Sequence, residues 1–481
     1  MTMNQFTKKI LHVNSSVEKI EILEKEKEIH IHLKERRNSI HKCPHCGKNC
    51  SCYDTISICR KRRHLDFGEY KVLIFAKVRR INCPKHGVCS EQVSWAYHNS
   101  RFTKMMEHNI AYYGTHLSKC EAARICRISW NTVGPIISRV KNIIEPNFND
   151  RKNNLKIIGI DETSYKKGHK YITTIIDQIT KQVVHIYEGK TADGLVNFFK
   201  SLTTEQRNSI EIVTGDGAKW IANTVKKYLP NAEFCIDAFH VVERVVEAMD
   251  ELRKDVRKNL KQFRDSKPEK GSHKKSKQTK EKLERYDRIK KLGKYSLGKN
   301  PSNLTEKQLS FIETDLKFHP KLLRAYEMKE LLRNILHLKD PSQAEIMLKN
   351  RCFRASHMRS ESFKTLYKKI KSRFVQIINT IQYGVSNALI ESFNNKIKLL
   401  VRKAYGFRNL DNLKDLIYLT CSPSFEKVIL PYEFDKVFTH TNWSWANLTR
   451  ILISIATFFV FEITNESVGA AWLILMSLVA S

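Results

Sequence analysis

Carboxylates placed where buried strands end can hold a hard metal ion, and three acids of this chain stand in contexts that suit the task. Asp161 follows the short apolar run Ile157 to Ile160, which reads as a buried strand. A polar turn, Tyr165 to His169 with Gly168 as the breaker, leads into a β-rich run, Tyr171 to Ile176, so the pair reads as a hairpin. Asp216 follows the run Ile210 to Thr214 and lies between Gly215 and Gly217. Glu391 stands on a helical stretch, Ser386 to Arg402, with Leu389, Phe393, Ile397 and Leu400 on one face. Asn394, Asn395, Lys398 and Arg402 occupy the rest of that helix. One acid among amides and bases is either a solvated Glu or a metal ligand flanked by phosphate contacts. Asp161, taken alone, would serve equally as a turn cap.

Cysteine offers a second chemistry. Seven of the twelve cysteines fall between Cys43 and Cys89. That clustering suits a local metal site in a reducing compartment better than a disulfide scaffold. Cys43-Pro-His-Cys46 is one knuckle, and Cys83-Pro-Lys-His86-Gly-Val-Cys89 is its expected partner. Cys43, Cys46, Cys83 and Cys89 would close a tetrahedral structural zinc site, with His86 the alternative fourth ligand. Cys50, Cys52 and Cys59 are spare thiols that could compete. The basic run Arg60 to Arg63 lies inside this module and is either a solvated loop or a phosphate contact.

A third set of residues suits DNA. Ala122, Ala123, Cys126, Ile128, Val133, Ile136 and Ile137 have the spacing of a small helix-turn-helix core, with Ser129 as N-cap of the second helix. Asn131, Thr132, Arg139 and Lys141 are left on its outer face, where they would meet DNA.

These residues need elements to position them. Residues 155–250 alternate strand and helix: three strands to Tyr187, a helix from Ala192, the strand before Asp216, a helix to Tyr228, a strand Glu233 to Ile236, and Asp237-Ala-Phe-His240 opening another helix. Three antiparallel strands, a helix, then a strand ending in an acid is the order of a ribonuclease-H-like sheet. In it, Asp161 and Asp216 come from neighbouring central strands. The expected organisation is therefore a multidomain α/β chain. It has a zinc-ribbon-like module at 1–95, a helix-turn-helix domain at 96–150, the first part of the catalytic domain at 151–250, a basic helical insertion at 251–385, the Glu391 helix at 386–422 and an atypical apolar tail at 423–481.

Composition agrees. The 481 residues carry a formal net charge of +34, a balance that calls for a polyanionic partner, nucleic acid first and an anionic membrane second. The apolar runs of the tail are each shorter than the roughly 20 residues a spanning helix needs, so membrane insertion is disfavoured. Met1 to Lys9 lacks the apolar core of a signal peptide.

In this order, the two knuckles, the helix-turn-helix, Gly-Ile-Asp161-Glu, Gly-Asp216-Gly, Asn387-Ala-Leu-Ile-Glu391-Ser-Phe-Asn-Asn-Lys396 and Ala404-Tyr-Gly-Phe-Arg-Asn409 resemble the ISL3 family of bacterial insertion-sequence transposases. The resemblance covers roughly residues 40–420 and does not extend to the tail. It implies that Asp161, Asp216 and Glu391 form an Asp-Asp-Glu triad holding two Mg²⁺ (or Mn²⁺) ions about 4 Å apart, one activating a nucleophile and one stabilising the leaving oxygen. Glu211, Asp237 and Glu243 are the alternatives to Glu391 as third ligand. The resemblance also implies that Asp237 and His240 form a supporting Asp-x-x-His element. It implies double-stranded DNA partners, namely terminal inverted repeats and target, a homo-oligomer on DNA, no small-molecule substrate, and a cytoplasmic, nucleoid-associated location. An inactive copy that only binds DNA is the alternative reading, and a nuclease of the same fold is the third.

Overall fold

The computed structural model describes residues 11–422 apart from 14, 35–39, 266–283, 285–286 and 357–359. The basic stretch Lys267 to Lys282 and the apolar tail from residue 423 lie outside the described residues. Within them, no helix is long and apolar enough to cross a membrane.

The N-terminal module is a sheet of six strands: β1 Val17–Leu23, β2 Glu28–Leu33, β3 His41–Lys42, β4 Asn49–Arg63, β5 Lys71–Cys83 and β6 Gly87–Ser90. Their order is β1-β2-β5-β4-β3, with β6 pairing β5. Val17, Ile31, Leu33, Val72 and Ile74 form its core, with Trp95 against them. The sequence shows β2 through the alternation of Ile29, Ile31 and Leu33, and β5 as the strand-like run Tyr70 to Ile81. It hid β4, whose run Asn49-Cys-Ser-Cys-Tyr-Asp-Thr-Ile-Ser-Ile-Cys-Arg-Lys-Arg-Arg63 is polar along most of its length. That strand is held by its antiparallel ladder with β5 rather than by an apolar face.

Three helices follow: α1 Lys104–His116, α2 Lys119–Ile125 and α3 Trp130–Ile144. Ser118 starts α2 with a capping box, its hydroxyl accepting from Glu121 N at 3.2 Å and Glu121 Oε2 accepting from Ser118 N at 3.1 Å. Ser129 holds the N-cap position of α3, but its side chain makes no capping bond. Arg127, at φ 52°, makes the left-handed turn between α2 and α3. Its guanidinium donates to Asp66 Oδ2 and to the Glu69 carbonyl, both at 2.8 Å. The turn of the helix-turn-helix is thus tied to the β4–β5 loop.

A second sheet has the order β11-β10-β7-β8-β9, built from β7 Ile157–Lys166, β8 Lys170–Asp177, β9 Gln182–Glu188, β10 Ile212–Gly215 and β11 Glu233–Ile236. β7, β8 and β9 are antiparallel; β10 runs parallel to β7, and β11 parallel to β10. Helices α4 Ala192–Lys200 and α5 Lys219–Tyr228 cover one face, burying Leu195, Phe198, Phe199, Ile221 and Val225 against Ile158, Ile160, Ile175 and Val213.

The chain leaves this sheet through α6 Ala238–Asp265 and builds a helical body with its own core, including α7 Pro320–Leu336, α8 Pro341–Ser356, α9 Glu361–Lys371 and α10 Phe374–Tyr383. It returns along the sheet edge: Thr380 Oγ1 donates to the Ile236 carbonyl at 2.7 Å, and Asn379 Nδ2 to Glu233 Oε2 at 2.6 Å. Two helices end the described chain, α11 Ala388–Lys403 and α12 Leu410–Thr420.

The other face of the second sheet has no private core. Ile172, Ile176, Val183 and Ile186 from β8 and β9 pack with Ile390, Ile397 and Leu400 of α11, Leu413 and Ile417 of α12, and Ile110, Val133, Ile137 and Val140 of α1 and α3. The helix-turn-helix and the sheet therefore share one hydrophobic core.

Candidate active site

The strand register gathers the acids. Ile160 on β7, Gly215 on β10 and Ile236 on β11 are partners in one row across three strands. The next residue of each is an aspartate: Asp161, Asp216 and Asp237. β10 and β11 stop there, whereas β7 continues because β8 pairs it as far as Lys166. Asp161 is thus the fifth residue of a ten-residue strand, not its last as the apolar run suggested. Two of the aspartates also shape the turn that follows. Asp216 Oδ1 accepts from Ala218 N at 2.7 Å, and Asp237 Oδ1 from Phe239 N at 3.0 Å. Gly217 turns at φ 76°, where a Cβ would meet Ile236 Cδ1 at 2.3 Å, so both conformation and space require glycine.

Asp161, Glu162 and Asp216 line one cleft with Phe239 and His240. The opposite wall is α11, through Glu391, Asn394, Asn395 and Lys398. Asn394 joins the walls. It is 6% exposed, its Nδ2 donates to Asp161 Oδ2 at 2.6 Å, and its Oδ1 accepts from Thr163 Oγ1. Sequence spacing placed Asn394 among the DNA contacts; in the structure it is buried and holds an aspartate instead. Asn395, Lys398 and Arg402 are exposed, as expected.

The electrostatics fit a cation. Burial pushes Asp161 up, and the neighbouring Asp216 adds to it against bonds from Glu162 N and Asn394. Burial likewise raises Glu162, with Asp216 and Asp161 contributing. Asp237 is 8% exposed and is raised by burial; its Oδ2 has no hydrogen-bond partner among the described residues. His240 Nε2 lies 4.0 Å from that oxygen, and its Nδ1 lies 3.0 Å from Glu243 Oε2. Several carboxylates that repel one another in a partly buried cleft are stabilised by a divalent ion. Asp161, Glu162 and Asp216 supply carboxylates on the sheet side of the cleft, and Glu391 supplies one on the α11 side. Glu162 escaped the sequence reading because consecutive strand residues alternate faces. β10 ends at Gly215, so the β7 edge is open beyond Ile160 and both acids reach the cleft.

In the N-terminal module, the ligand atoms of Cys43, Cys46, Cys83 and His86 lie within 4.8 Å of one another. Cys43 Sγ and Cys83 Sγ are each 3.6 Å from His86 Nδ1. Of the two candidates for fourth ligand, His86 is in the quartet, while Cys89 on β6 packs beside it. Burial opposes ionisation of Cys83, but the amides of Lys85 and His86 and the His86 ring bring its thiol down to about 6. Cys89 is pushed up to about 11 by burial and by neighbouring thiolates. The quartet has the donor set of a structural zinc site.

On α3, Asn131 is exposed and Thr132 half-buried. Arg139 and Lys141, expected to face DNA, have partners inside the chain. Arg139 pairs with the buried Glu107 at 2.5 Å, and Lys141 with Asp415 of α12 at 2.6 Å.

Comparison with known proteins agrees with this architecture. A family model described as a transposase matches residues 158–417, and the helix-turn-helix domain of transposase family ISL3 matches residues 91–140. The chain is 35% identical over 390 residues to the transposase for insertion sequence element IS1557 of Mycobacterium tuberculosis, covering 81% of this chain and 87% of the relative. This chain belongs to the ISL3 family of transposases. The transposase for insertion sequence element IS1001 of Bordetella parapertussis is 24% identical over 371 residues, covering 76% of this chain and 85% of the relative. An ISL3 transposase is a DDE enzyme with a helix-turn-helix for DNA, and a copy that merely binds DNA is not favoured.

Proposed function

We propose that this transposase binds the terminal inverted repeats of its element, cleaves the DNA there and joins the ends to a target, with Asp161, Asp216 and Glu391 as its catalytic triad. The observation that carries the reading is the position of Glu391. It is 175 residues beyond Asp216 in sequence, yet it lines the same cleft as Asp161 and Asp216. Asp237 and His240 would support the triad, His240 from the cleft wall and Asp237 from beside it. Strand order and direction support a ribonuclease-H-like fold for the second sheet, interrupted by a helical insertion.

The residues define the following division of labour. The carboxylates would hold divalent cations, Mg²⁺ or Mn²⁺, which supply charge neutralisation at phosphate and a more acidic nucleophile when bound. Asn394 fixes the rotamer of Asp161. Lys398, one wall of the cleft, and Asn395 would meet the DNA backbone, with Arg402 extending that contact along α11. Asn131 and Thr132 would read the terminal repeat. The Cys43, Cys46, Cys83 and His86 quartet would hold structural Zn²⁺. A homo-oligomer on DNA, in the cytoplasm and close to the nucleoid, completes the proposal.

Conservative substitutions test the triad. Asp161→Asn, Asp216→Asn and Glu391→Gln keep shape and remove charge, so each alone should abolish cleavage while end-DNA binding survives. Near-normal cleavage by Glu391→Gln would move the third ligand to Glu162 or Asp237.

A further inference from the structure

Arg62 is a buried cation with no ion-pair partner among the described residues. It is 6% exposed, and its Nε and one terminal nitrogen have no hydrogen-bond partner among the described residues. Its guanidinium lies over the Trp95 ring, 5.3 Å from the centroid. Buried guanidinium groups are ordinarily paired with carboxylate or phosphate, because an unpaired buried charge is strongly disfavoured.

Arg62 lines a narrow recess with Arg60, two residues earlier on the same face of β4, and with Gln92, His98 and Asn99 of the loop after β6. Arg60 donates to Ser90 Oγ at 3.2 Å across the mouth. The one acid in the wall, Glu91, is already engaged: its Oε2 is 2.6 Å from His41 Nδ1, and its Oε1 accepts from Arg79 N at 2.9 Å. The recess thus collects two guanidinium groups, an imidazole and two amides around one carboxylate, Glu91, whose oxygens are turned to His41 and the Arg79 amide rather than to Arg62. That is the chemistry of an oxyanion site, and guanidinium is the side chain best matched to phosphate.

The recess also adjoins the segment matched as the helix-turn-helix domain, residues 91–140. Its loop leads directly into Thr103, the N-cap of α1, and Arg63 N and O bond Arg101 O and Thr103 N at 2.8 and 2.9 Å. We infer that the Arg60–Arg62 recess is a phosphate site, and that a backbone phosphate of the bound DNA occupies it. This rests on the DNA-binding function proposed above.

The test uses the full chain and two duplexes of equal length, one carrying the terminal repeat and one unrelated. Affinity is measured across salt concentrations for wild type, Arg60→Gln, Arg62→Gln and Arg62→Lys, with melting temperature as the check on folding. Losing one phosphate contact should reduce the slope of log K against log salt by about 0.9 and weaken binding roughly eight-fold at about 0.1 M salt, equally on both duplexes. Arg62→Lys should fall between wild type and Arg62→Gln. Exposed Arg60 carries the test if Arg62→Gln fails to fold. Wild-type slopes in folded variants would overturn the proposal. Inorganic phosphate supplies the second arm. If it raises the melting temperature of wild type but not of the variants while DNA slopes stay equal, the site takes a free anion and the DNA assignment fails. If wild type binds neither duplex, the functional reading falls as well.

Discussion

At the scale of single residues, Asn394 is the most informative side chain. Thr163 donates to its amide oxygen, which leaves the amide nitrogen facing Asp161. That fixes which way the amide lies and which way the aspartate points. Side chains that hold a metal-binding carboxylate in place typically matter by one to two orders of magnitude. Asn394→Ala should therefore reduce cleavage by about 10–100-fold with end-DNA affinity retained. Thr163→Val should lose less, because it frees the amide to flip without removing it. Equal loss of binding and cleavage in Asn394→Ala would make the residue a DNA contact after all. The acids give a second prediction. Burial and like charge raise Glu162, so in the folded protein its ionised form is disfavoured relative to the unfolded chain. Such a group destabilises the fold above its raised pKa, and the penalty disappears as pH falls and the carboxyl protonates. Glu162→Gln, measured without metal, should melt higher than wild type at about pH 8. The gap should close toward about pH 5, and Mg²⁺ should narrow it at pH 8 by stabilising the wild type. A gap that stays constant with pH and metal would show that the Glu162 charge is unconnected with the cleft.

At the scale of elements, what the sequence disclosed depended on whether an element carries its own signal. β7, β8, α4, α5 and α11 were legible because their apolar periodicity is strong. The row of Asp161, Asp216 and Asp237 was half legible: the acids stood out at strand ends, but the register that aligns them comes from pairing between strands. β4 was invisible, because a polar fifteen-residue strand has no alternation and exists through β5. On the outward face of α3, Arg139 and Lys141 have acidic partners, Glu107 and Asp415, that spacing within α3 does not reveal because they lie on other helices. The same dependence decides the metal knuckle. Spacing allowed His86 or Cys89; the tight turn before β6 brings His86 to Cys43 and Cys83 and leaves Cys89 on the strand. Purified wild type and Cys89→Ser should each hold about one zinc per chain, whereas Cys43→Ser and His86→Ala should lose it to a chelator. Zinc lost on Cys89→Ser but kept on His86→Ala would restore Cys89 as the ligand.

At the scale of the whole molecule, the shared core makes DNA reading and chemistry one mechanical unit. α12 lies after the Glu391 helix in sequence, yet Leu413 and Ile417 pack with Ile110, Val133 and Ile137 of the helix-turn-helix and with Ile186 of β9. Polar ties reinforce the junction. Lys141 pairs with Asp415, Ser422 donates to Glu145, and Arg151 joins Glu145 to the Val183 carbonyl. A reading helix on a flexible tether would find its site independently of the cleft, but one built into the cleft's own core cannot melt alone. Ile417 is fully buried. Ile417→Ala removes three carbons from the centre of this core and should cost roughly 2–5 kcal/mol. The expected result is a lower melting temperature in a single transition, with specific end-DNA binding and cleavage lost together as temperature rises. Following both activities across the melt tests this directly. If Ile417→Ala loses cleavage at a temperature where specific binding is still at its wild-type level, the helix-turn-helix folds on its own and the common core is only a contact between two domains.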